Sequence, residues 1–296
     1  MAPRGRHGAV ACQAAFACPE RVEPGSFLGS VPSTFDGPEV HISYRATASL
    51  GPEAVEAALA TLSTDERLRC ESFHFAADRR DYASAHELLR RCLSMHGGRK
   101  PTDWRFRLGR TAKPYIAPSS DDHTASLSFN LSHARGLVAC AITRELPVGI
   151  DVERTDRSVD VNEISDACFS PFEVFDLNTC PHAARGSRFA ELWTLKEAVL
   201  KATGDGLARR LDGLTFRLEN ASFIEFQPTN GLAPSDWHFV LFAPTADTRL
   251  AVAVRGAGHV SFAVHLDSTE ETRTTSPLAE LRLCRGCRAA VASVDI

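Results

Sequence analysis

Two absences limit what this chain can be. The 296 residues contain no run of about 18 apolar side chains, the length that a membrane-spanning helix needs, so we expect no membrane span. They contain no excess of positive charge either: 33 Lys and Arg residues stand against 37 Asp and Glu residues, which leaves a formal net charge of −4. Overall charge therefore gives no argument for nucleic acid or a membrane surface as a partner.

Paired cysteine motifs are also missing. Nine cysteines, an odd number, are scattered along the chain, and in a protein of this length they do not indicate a disulfide framework. Cys284–Cys287 is a single CxxC with no second pair and no histidine couple nearby, so two free thiols in a tail are a better interpretation than zinc. Reduced thiols favour a cytoplasmic protein.

The amino terminus has no clear pattern. Arg4 and Arg6 precede a stretch that is too short and too weakly apolar to make a good signal peptide. Residues 1–38 are rich in Gly, Pro and Ala and show no periodicity, which predicts an irregular N-terminal extension.

Hydrophobic periodicity divides the rest of the chain. Helical spacing predicts long helices over residues 78–93 and 187–203, and runs of strand-like alternation surround each of them. This order predicts an α+β fold of two similar halves that meet near residue 146. The predicted regions are an N-terminal half over 39–146, a C-terminal half with a metal site over 147–266, and a C-terminal tail over 267–296.

Two acids lie on one face of the strand predicted over residues 148–153. Side chains alternate along a strand, so Ile150 faces a core while Asp151 and Glu153 face the opposite way. Two carboxylates on one face repel each other unless a cation or solvent relieves the repulsion. The alternative to a metal site here is the solvated edge of a half-buried strand.

The helix predicted over 187–203 carries a third acid. At about 100° per residue, Thr194, Glu197 and Lys201 lie within about 60° of one another, opposite an apolar side suited to packing. A surface ion pair between Glu197 and Lys201 is the simpler interpretation of that spacing. Lys196 falls among the apolar positions, where a surface lysine is not expected.

These acids have the chemistry of a magnesium site. Asp151, Glu153 and Glu197 offer the hard oxygen ligands that Mg²⁺ prefers, and Mg²⁺ usually combines a few carboxylates with substrate phosphates. No cluster of His and Cys with zinc spacing competes with them. We therefore predict a divalent metal that holds a phosphate ester, with Mg²⁺ the expected ion and Mn²⁺ an alternative.

Five short motifs follow one another along the chain: Ala112–Ile116, Asn130–His133, Gly149–Asp151, Trp193–Lys201 and Gly204–Leu207. In order and spacing they resemble those of the 4′-phosphopantetheinyl transferases of the larger Sfp type. Asp151 and Trp193 are 42 positions apart (193 − 151), close to the roughly forty residues that separate the family's two metal motifs. Ala112 stands where the family usually has glycine. The resemblance covers about residues 40–265.

The resemblance implies an enzyme that transfers the 4′-phosphopantetheine arm of coenzyme A to a serine of an apo acyl or peptidyl carrier protein. Mg²⁺ would assist, and adenosine 3′,5′-bisphosphate would be the other product. The implied fold is a pseudo-dimeric monomer with the cofactor between two similar halves. The implied setting is carrier protein activation in the cytoplasm, for pathways such as secondary metabolite biosynthesis, with the identity of the carrier left open.

The resemblance also implies roles for individual residues. Asp151, Glu153 and Glu197 would bind the metal, and Glu197 would orient or deprotonate the carrier serine. Glu197, Lys201 and His133 are the expected catalytic residues, with Lys201 on the pyrophosphate and His133 on a phosphate. The expected cofactor-binding residues are Lys113, Pro114, Ser132, His133, Lys201 and an arginine at the start of the 78–93 helix, Arg79 or Arg80. Lys113 and the arginine are the candidates for the 3′-phosphate and adenine end. A structural histidine and a solvated basic helix face are the respective alternatives for His133 and the arginines.

Three questions stay open at this stage. The segment after Ser170, which begins with capping-box spacing to Glu173, is either a mobile element that docks the carrier or an internal packing helix. A magnesium-dependent phosphodiesterase such as a nuclease would use the same acids, although the lack of basic charge and the Asn130–His133 segment argue against it. A non-catalytic protein that binds coenzyme A or a carrier is the third alternative, and the intact acids and Lys201 argue against it.

Overall fold

A computed structural model describes residues 38–118, 126–156, 161–206, 209–218, 223–229, 231–267, 281–284 and 287–293. The extension predicted over 1–38 lies outside these segments apart from residue 38. Within them, no helix combines the length and the apolar character that crossing a bilayer requires. Cysteines whose side chains are described, such as Cys70 and Cys168, carry free thiols.

Six α-helices and thirteen β-strands occur in the described segments. The helices are α1 Pro52–Thr61, α2 Thr64–Glu71, α3 Ala76–Gly97, α4 Val161–Cys168, α5 Pro171–Thr179 and α6 His182–Thr203. The strands are β1 Glu39–Ala46, β2 Phe106–Leu108, β3 Pro114–Ile116, β4 Leu127–Ala134, β5 Leu137–Arg144, β6 Val148–Arg154, β7 Leu214–Arg217, β8 Glu225–Pro228, β9 Trp237–Phe242, β10 Thr248–Arg255, β11 Val260–Leu266, β12 Arg282–Leu283 and β13 Cys287–Ser293.

Local sequence signals explain where several helices begin and end. The Ser63 hydroxyl accepts a hydrogen bond from the Glu66 amide at the start of α2, and the Glu66 carboxylate accepts one from the Ser63 amide, which completes a capping box. Ser170 and Glu173 make the same pair of bonds at the start of α5. The two long helices α3 and α6 each end at a glycine in the left-handed region, Gly98 and Gly204.

The first sheet has five strands in the order β13-β11-β1-β5-β4. β1 is antiparallel to β5 and parallel to β11, so Val40 lies between Thr143 and Phe262. β11 also pairs in parallel with β13. Strands from the end of the chain therefore complete a sheet that the N-terminal half begins.

The second sheet has four antiparallel strands in the order β12-β9-β10-β6. In its register, Asp151 on β6 lies opposite Ala251 on β10. The range 267–296, predicted as a separate tail, contributes β12 to this sheet and β13 to the first one. The described part of that range is therefore integrated into both sheets.

Apolar clusters show that the two sheets stack between the two long helices. Ile42 on β1 and Ile150 on β6 belong to one core that both sheets share. The other face of the first sheet packs on α3 through residues such as Leu89, and the other face of the second packs on α6 through residues such as Leu195. The predicted α+β class is confirmed, as a helix–sheet–sheet–helix arrangement.

Candidate active site

Two side chains of β4 join the edges of the two sheets. The Asn130 Oδ1 atom accepts a hydrogen bond from the Ile150 amide at 2.9 Å, and the Ser132 hydroxyl oxygen accepts one from the Val152 amide at 3.3 Å. β4 and β6 are edge strands, and edge amides need partners. Residues two apart on a strand share a face, so the Asn-x-Ser spacing satisfies alternate amides of β6. This link brings Ser132 beside Asp151.

Gly149 allows α6 to lie directly on β6. A Cβ atom at Gly149 would stand 2.0 Å from the Ala198 carbonyl oxygen and 2.5 Å from the Ala202 amide nitrogen. A Cβ atom at Gly186, near the other end of α6, would stand 2.3 Å from the Thr155 carbonyl oxygen. The absence of a side chain at Gly149 therefore places the last turns of α6 against the strand that carries Asp151.

Asp151, Lys201 and Ser132 form a hydrogen-bonded cluster. The Lys201 ammonium donates to Asp151 Oδ1 at 2.6 Å and to the Ser132 hydroxyl at 3.0 Å, and that hydroxyl donates to Asp151 Oδ1 at 3.0 Å. Asp151 is only 6 % exposed, so it does not lie on a solvated strand edge. Its second oxygen, Oδ2, is buried and has no hydrogen-bond partner. Such an oxygen is suited to a cation or to a donor on a ligand.

The other two predicted metal ligands lie on the same two elements as Asp151 and Lys201, but the three carboxylates do not form a preassembled metal site. Glu153 follows Asp151 by two residues on β6, and Glu197 precedes Lys201 by one turn of α6; both are partly buried. Within the segments that the structure describes, no three His, Cys, Asp or Glu side chains are arranged to hold a metal ion. Of the three predicted ligands, Asp151 has a buried carboxylate oxygen, Oδ2, that makes no hydrogen bond.

A cavity of about 300 Å³ opens beside this cluster. The hairpin of β2 and β3 contributes Lys113 and Pro114 to its wall, and α6 contributes Glu197 and Lys201. Four of the residues predicted from the motifs therefore line one cavity, although they come from distant parts of the sequence.

Lys113 is held by backbone carbonyls. Its ammonium donates to the Val148 carbonyl oxygen at 3.1 Å, to the Ala202 carbonyl oxygen at 3.4 Å and to the carbonyl oxygen of Lys201. Burial lowers the pKa of the Lys113 side chain to about 8. The residue predicted to bind a phosphate thus has its donors engaged within the protein.

His133 lies between Lys201 and the start of α3. Desolvation lowers the pKa of its imidazole, the neighbouring Asp81 carboxylate opposes that shift, and the Lys201 ammonium adds to it. The His133 side chain still reaches solvent. A neutral, accessible ring next to a lysine can donate or accept one hydrogen bond toward a ligand.

The two arginines at the start of α3 differ in their partners. Arg79 donates to the Phe73 carbonyl oxygen at 2.8 Å and so holds the loop before α3. Arg80 lies 3.7 Å from Asp81, and its buried Nε atom makes no hydrogen bond. Of the two, Arg80 has the guanidinium that is less committed to the fold.

Asp81 is a site residue that the sequence analysis missed. Its buried carboxylate accepts hydrogen bonds from the Gly136 amide at 3.0 Å and from the Thr47 hydroxyl, and its charge acts on His133. An acid on the packed side of the 78–93 helix was the available signal. Asp81 therefore fixes the turn between β4 and β5, directly after His133.

The helix after Ser170 packs against the protein and also has an exposed apolar side. Glu173 and Leu177 of α5 are buried, whereas Phe175 is 66 % exposed and Phe172 is 37 % exposed. Arg217 stacks over the Phe172 ring at 4.1 Å. α5 is thus a packed helix whose outer face is apolar and bordered by positive charge.

Comparisons with known proteins agree with the motifs. The model of the 4′-phosphopantetheinyl transferase superfamily matches residues 147–254, and the model of the 4′-phosphopantetheinyl transferase N-terminal domain matches residues 51–145. The 4′-phosphopantetheinyl transferase HetI of Nostoc sp. (strain PCC 7120) is 33% identical over 199 residues, which cover 67% of this chain and 81% of that protein. The 4′-phosphopantetheinyl transferase Sfp of Bacillus subtilis is 29% identical over 185 residues, 62% of this chain and 79% of Sfp.

Among solved structures, the holo-[acyl-carrier-protein] synthase of Thermotoga maritima gives a partial match. It has a TM-score of 0.32 and 21% sequence identity, over 38% of this chain and 66% of that one.

Proposed function

The chain belongs to the 4′-phosphopantetheinyl transferase superfamily and is a 4′-phosphopantetheinyl transferase that acts on carrier proteins with coenzyme A, and we propose that its reaction depends on Mg²⁺ and releases adenosine 3′,5′-bisphosphate. The observation that carries the proposal is the cluster of Asp151, Lys201 and Ser132 beside the cavity, with one carboxylate oxygen left without a partner. An acyl or peptidyl carrier protein is the proposed acceptor.

The residues present fit a magnesium ion. Asp151 Oδ2 is a buried oxygen without a hydrogen bond, and a hard cation is a suitable partner for it. Asp151, Glu153 and Glu197 are the residues proposed to hold the ion, with Mn²⁺ as an alternative. Because Mg²⁺ keeps waters and substrate oxygens in its shell, it does not need three protein carboxylates already in contact. When bound, it would neutralise charge on the phosphates.

The chain's own groups have proposed roles in phosphoryl transfer. The carrier serine oxygen attacks the pantetheine phosphate, and the bond from that phosphorus to the bridging oxygen breaks so that the bisphosphate leaves. Lys201 donates to the pyrophosphate, and Ser132 fixes the direction of Lys201 and Asp151. Glu197, at the cavity wall, takes the serine proton. In such chemistry, positioning and charge neutralisation supply most of the rate.

The proposed nucleotide end of the site lies toward α3 and the β2–β3 hairpin. His133 is proposed to contact a phosphate of the cofactor, and Arg80 is preferred over Arg79 for the 3′-phosphate because Arg79 is bonded to a backbone carbonyl. Pro114 would support the adenine end from the cavity wall. The enzyme is proposed to act as a monomer in the cytoplasm, with residues from both predicted halves around one cavity.

The proposed docking face for the carrier is the outer side of α5. Phe172 and Phe175 offer apolar contact, and Arg217 offers positive charge beside them. A helical carrier protein with acidic residues around an apolar patch would complement this face.

One assay tests the proposed function. The protein is incubated with several apo carrier proteins, coenzyme A and Mg²⁺, and the carriers are examined by mass spectrometry for the phosphopantetheine adduct while the released nucleotide is identified by chromatography. We expect the adduct, adenosine 3′,5′-bisphosphate, and loss of both when the metal is chelated, with recovery on adding Mg²⁺ or Mn²⁺. Failure to modify any carrier would refute the proposal.

Variants then test the assigned residues. Asp151→Asn and Glu197→Gln should each lower the rate of transfer by about 100-fold or more, because each removes a carboxylate proposed to hold the metal ion that would neutralise charge on the phosphates. Glu56→Gln on the exposed face of α1 is the matched control and should keep full activity. Full activity in Asp151→Asn would refute the metal assignment, provided that circular dichroism shows the variant to be folded.

A further inference from the structure

Lys113 closes the C-terminal end of a helix from a different part of the chain. It comes directly before β3, yet its ammonium donates to the carbonyl oxygens of Lys201 and Ala202 in the last turn of α6, and to that of Val148 on β6. A Cβ atom at Gly204, the residue that ends α6, would lie 3.8 Å from the Lys113 Cδ atom. The side chain therefore crosses from the β2–β3 hairpin to the place where α6 meets β6.

The end of α6 needs such a donor. The last four carbonyl groups of an α-helix have no partner within the helix, and together they carry about half a negative charge. Here the amide of Gly204 donates to the Leu200 carbonyl oxygen at 2.9 Å. The Lys113 ammonium donates to the next two carbonyls, so it supplies both hydrogen bonds and a compensating charge.

The capped turn carries residues of the site. Lys201, whose backbone carbonyl accepts from Lys113, uses its own ammonium to hold Asp151 at 2.6 Å. Glu197 lies one turn earlier on the same helix and lines the same cavity. A shift of this turn would therefore move both side chains relative to Asp151.

We propose that Lys113 is a positioning residue for the transfer reaction, which caps α6 and fixes Lys201 and Glu197 over the cavity, and that it does not bind the 3′-phosphate of coenzyme A. This proposal rests on the function proposed above. An ammonium has three donors, and three carbonyl oxygens use them. A phosphate could take the ammonium only if the helix end gave it up.

Capping also affects how the cavity receives an anion. Uncapped carbonyls at the end of α6 would direct partial negative charge toward the phosphates of the cofactor. With Lys113 in place, that charge is compensated within the protein. The lowered pKa of the Lys113 side chain, which burial brings to about 8, agrees with an ammonium enclosed by protein rather than extended into solvent.

Two cofactors distinguish capping from phosphate binding. Steady-state transfer is measured with coenzyme A and with 3′-dephospho-coenzyme A for the wild type, Lys113→Met and Lys113→Arg, with Lys100→Met as the control at an exposed lysine. If Lys113 caps the helix, Lys113→Met should lower kcat by about 10- to 100-fold with both cofactors. The ratio of the two kcat/KM values should then stay within about twofold of the wild type, and Lys113→Arg should recover part of kcat.

The opposite pattern would overturn the proposal. If the ratio of kcat/KM for the two cofactors falls toward one in Lys113→Met while kcat with coenzyme A is kept, Lys113 binds the 3′-phosphate. Hydrogen exchange provides a second readout: the amides of the last turn of α6 should exchange faster in Lys113→Met, and unchanged exchange would also contradict capping. If Lys113→Met does not fold, the same ratio is measured in Lys113→Arg. Absence of transfer in the wild type would refute the proposed function instead.

Discussion

Lys196 and Glu173 form an ion pair in which Nζ lies 2.7 Å from Oε2, and neither side chain is exposed to solvent. Lys196 also donates to the carbonyl oxygens of Leu211 and Leu214. Glu173 accepts from the Ser170 amide at 2.8 Å and, through its other oxygen, from the Phe216 amide at 2.9 Å. The pair connects α5, α6 and the start of β7 behind the cavity, and it explains the lysine among apolar positions of the metal motif.

Breaking this pair should strongly destabilise the fold. Lys196→Met or Glu173→Gln alone should lower the free energy of unfolding by about 3–5 kcal/mol, because each leaves a buried polar group without its partner. The double variant should lose less than the sum of the two. Chemical denaturation measures all three. Arg210→Ala, which removes an exposed partner of Asp212, is the control and should leave the free energy of unfolding nearly unchanged. If the double variant loses as much stability as the two single variants together, Lys196 and Glu173 do not form a coupled pair.

The contact between Gly149 and α6 gives a second prediction. Gly149→Ala should lower the free energy of unfolding by about 3 kcal/mol or more and displace α6, because the added Cβ would meet backbone atoms at 2.0 and 2.5 Å. Gly51→Ala, where no atom lies within 4 Å, should cost less than about 1 kcal/mol. Chemical denaturation and the transfer rate check both. A stable and active Gly149→Ala variant would show that the close approach is absent.

Ala112 lies where the family usually has glycine, and its φ of 60° is in the left-handed region. Because that conformation costs a residue with a Cβ about 1–2 kcal/mol, Ala112→Gly should raise the free energy of unfolding by about 0.5–1 kcal/mol after the entropy cost of glycine. Ala57→Gly, in the exposed middle of α1, should lower it by about 1 kcal/mol. Equal losses from the two variants in urea titrations would contradict the left-handed assignment.

A cluster of three histidines predicts loss of stability in acid. His41 Nδ1 lies 3.3 Å from His265 Nε2, and the His96 ring lies 4.2 Å from the His41 ring. Burial, and then repulsion between the rings, lowers the pKa of His41 to about 3. Burial, and then the Arg144 guanidinium, lowers the pKa of His96 to about 4. Glu39, 3.6 Å from His41, is the neighbouring acid.

The sign of the effect follows from proton binding. The unfolded chain protonates these rings near pH 6.5, whereas the folded chain does so only near pH 3–4, so stability is complete above about pH 6.5 and is lost as the pH falls. Between pH 7 and pH 4.5 we expect a loss of about 5 kcal/mol in urea titrations, about half of it from each of His41 and His96. His41→Gln should reduce that slope, and the exposed His182→Gln should not. Equal slopes in the three proteins would contradict the prediction.

Ser132 should matter more for activity than for stability. Ser132→Ala removes the hydroxyl that bonds to Asp151, Lys201 and the Val152 amide, so we expect kcat to fall by about 10- to 100-fold while the free energy of unfolding falls by about 1–3 kcal/mol. Ser128→Ala, on the same strand and face, is the control and should keep its activity. An unchanged kcat in Ser132→Ala would remove Ser132 from the positioning of the cluster.

The sequence predicted much of the local structure. The helices at α3 and α6, the strand at β6 and the capping box at Ser170 follow from periodicity and from short-range signals. The mixed α+β class and the enzyme family are likewise confirmed. The metal ligands, the role of Glu197 and the region boundaries stay predictions.

Other parts of the site could not be read from spacing. The sequence gives no sign that Asn130 joins two sheet edges, or that Lys113 reaches carbonyls 88 and 89 residues further along the chain. Asp81 was missed because an acid in a helix is ordinarily a surface residue, although its spacing puts it on the packed side of the 78–93 helix. The hydrogen bond from the Gly136 amide to its carboxylate, which only the tertiary structure shows, is what links Asp81 to the turn that follows His133.

By itself, the sequence determined the elements and the order of the chemical motifs, because hydrophobic periodicity and capping depend on residues within one or two turns of each other. Tertiary structure decided which donors are already engaged and which oxygen is left without a partner. The Lys113 ammonium is engaged, and Asp151 Oδ2 has no hydrogen bond, because packing brings the β2–β3 hairpin, β6 and α6 together. Burial then removes water as a partner, so each buried donor or acceptor either bonds within the protein or is left for a ligand.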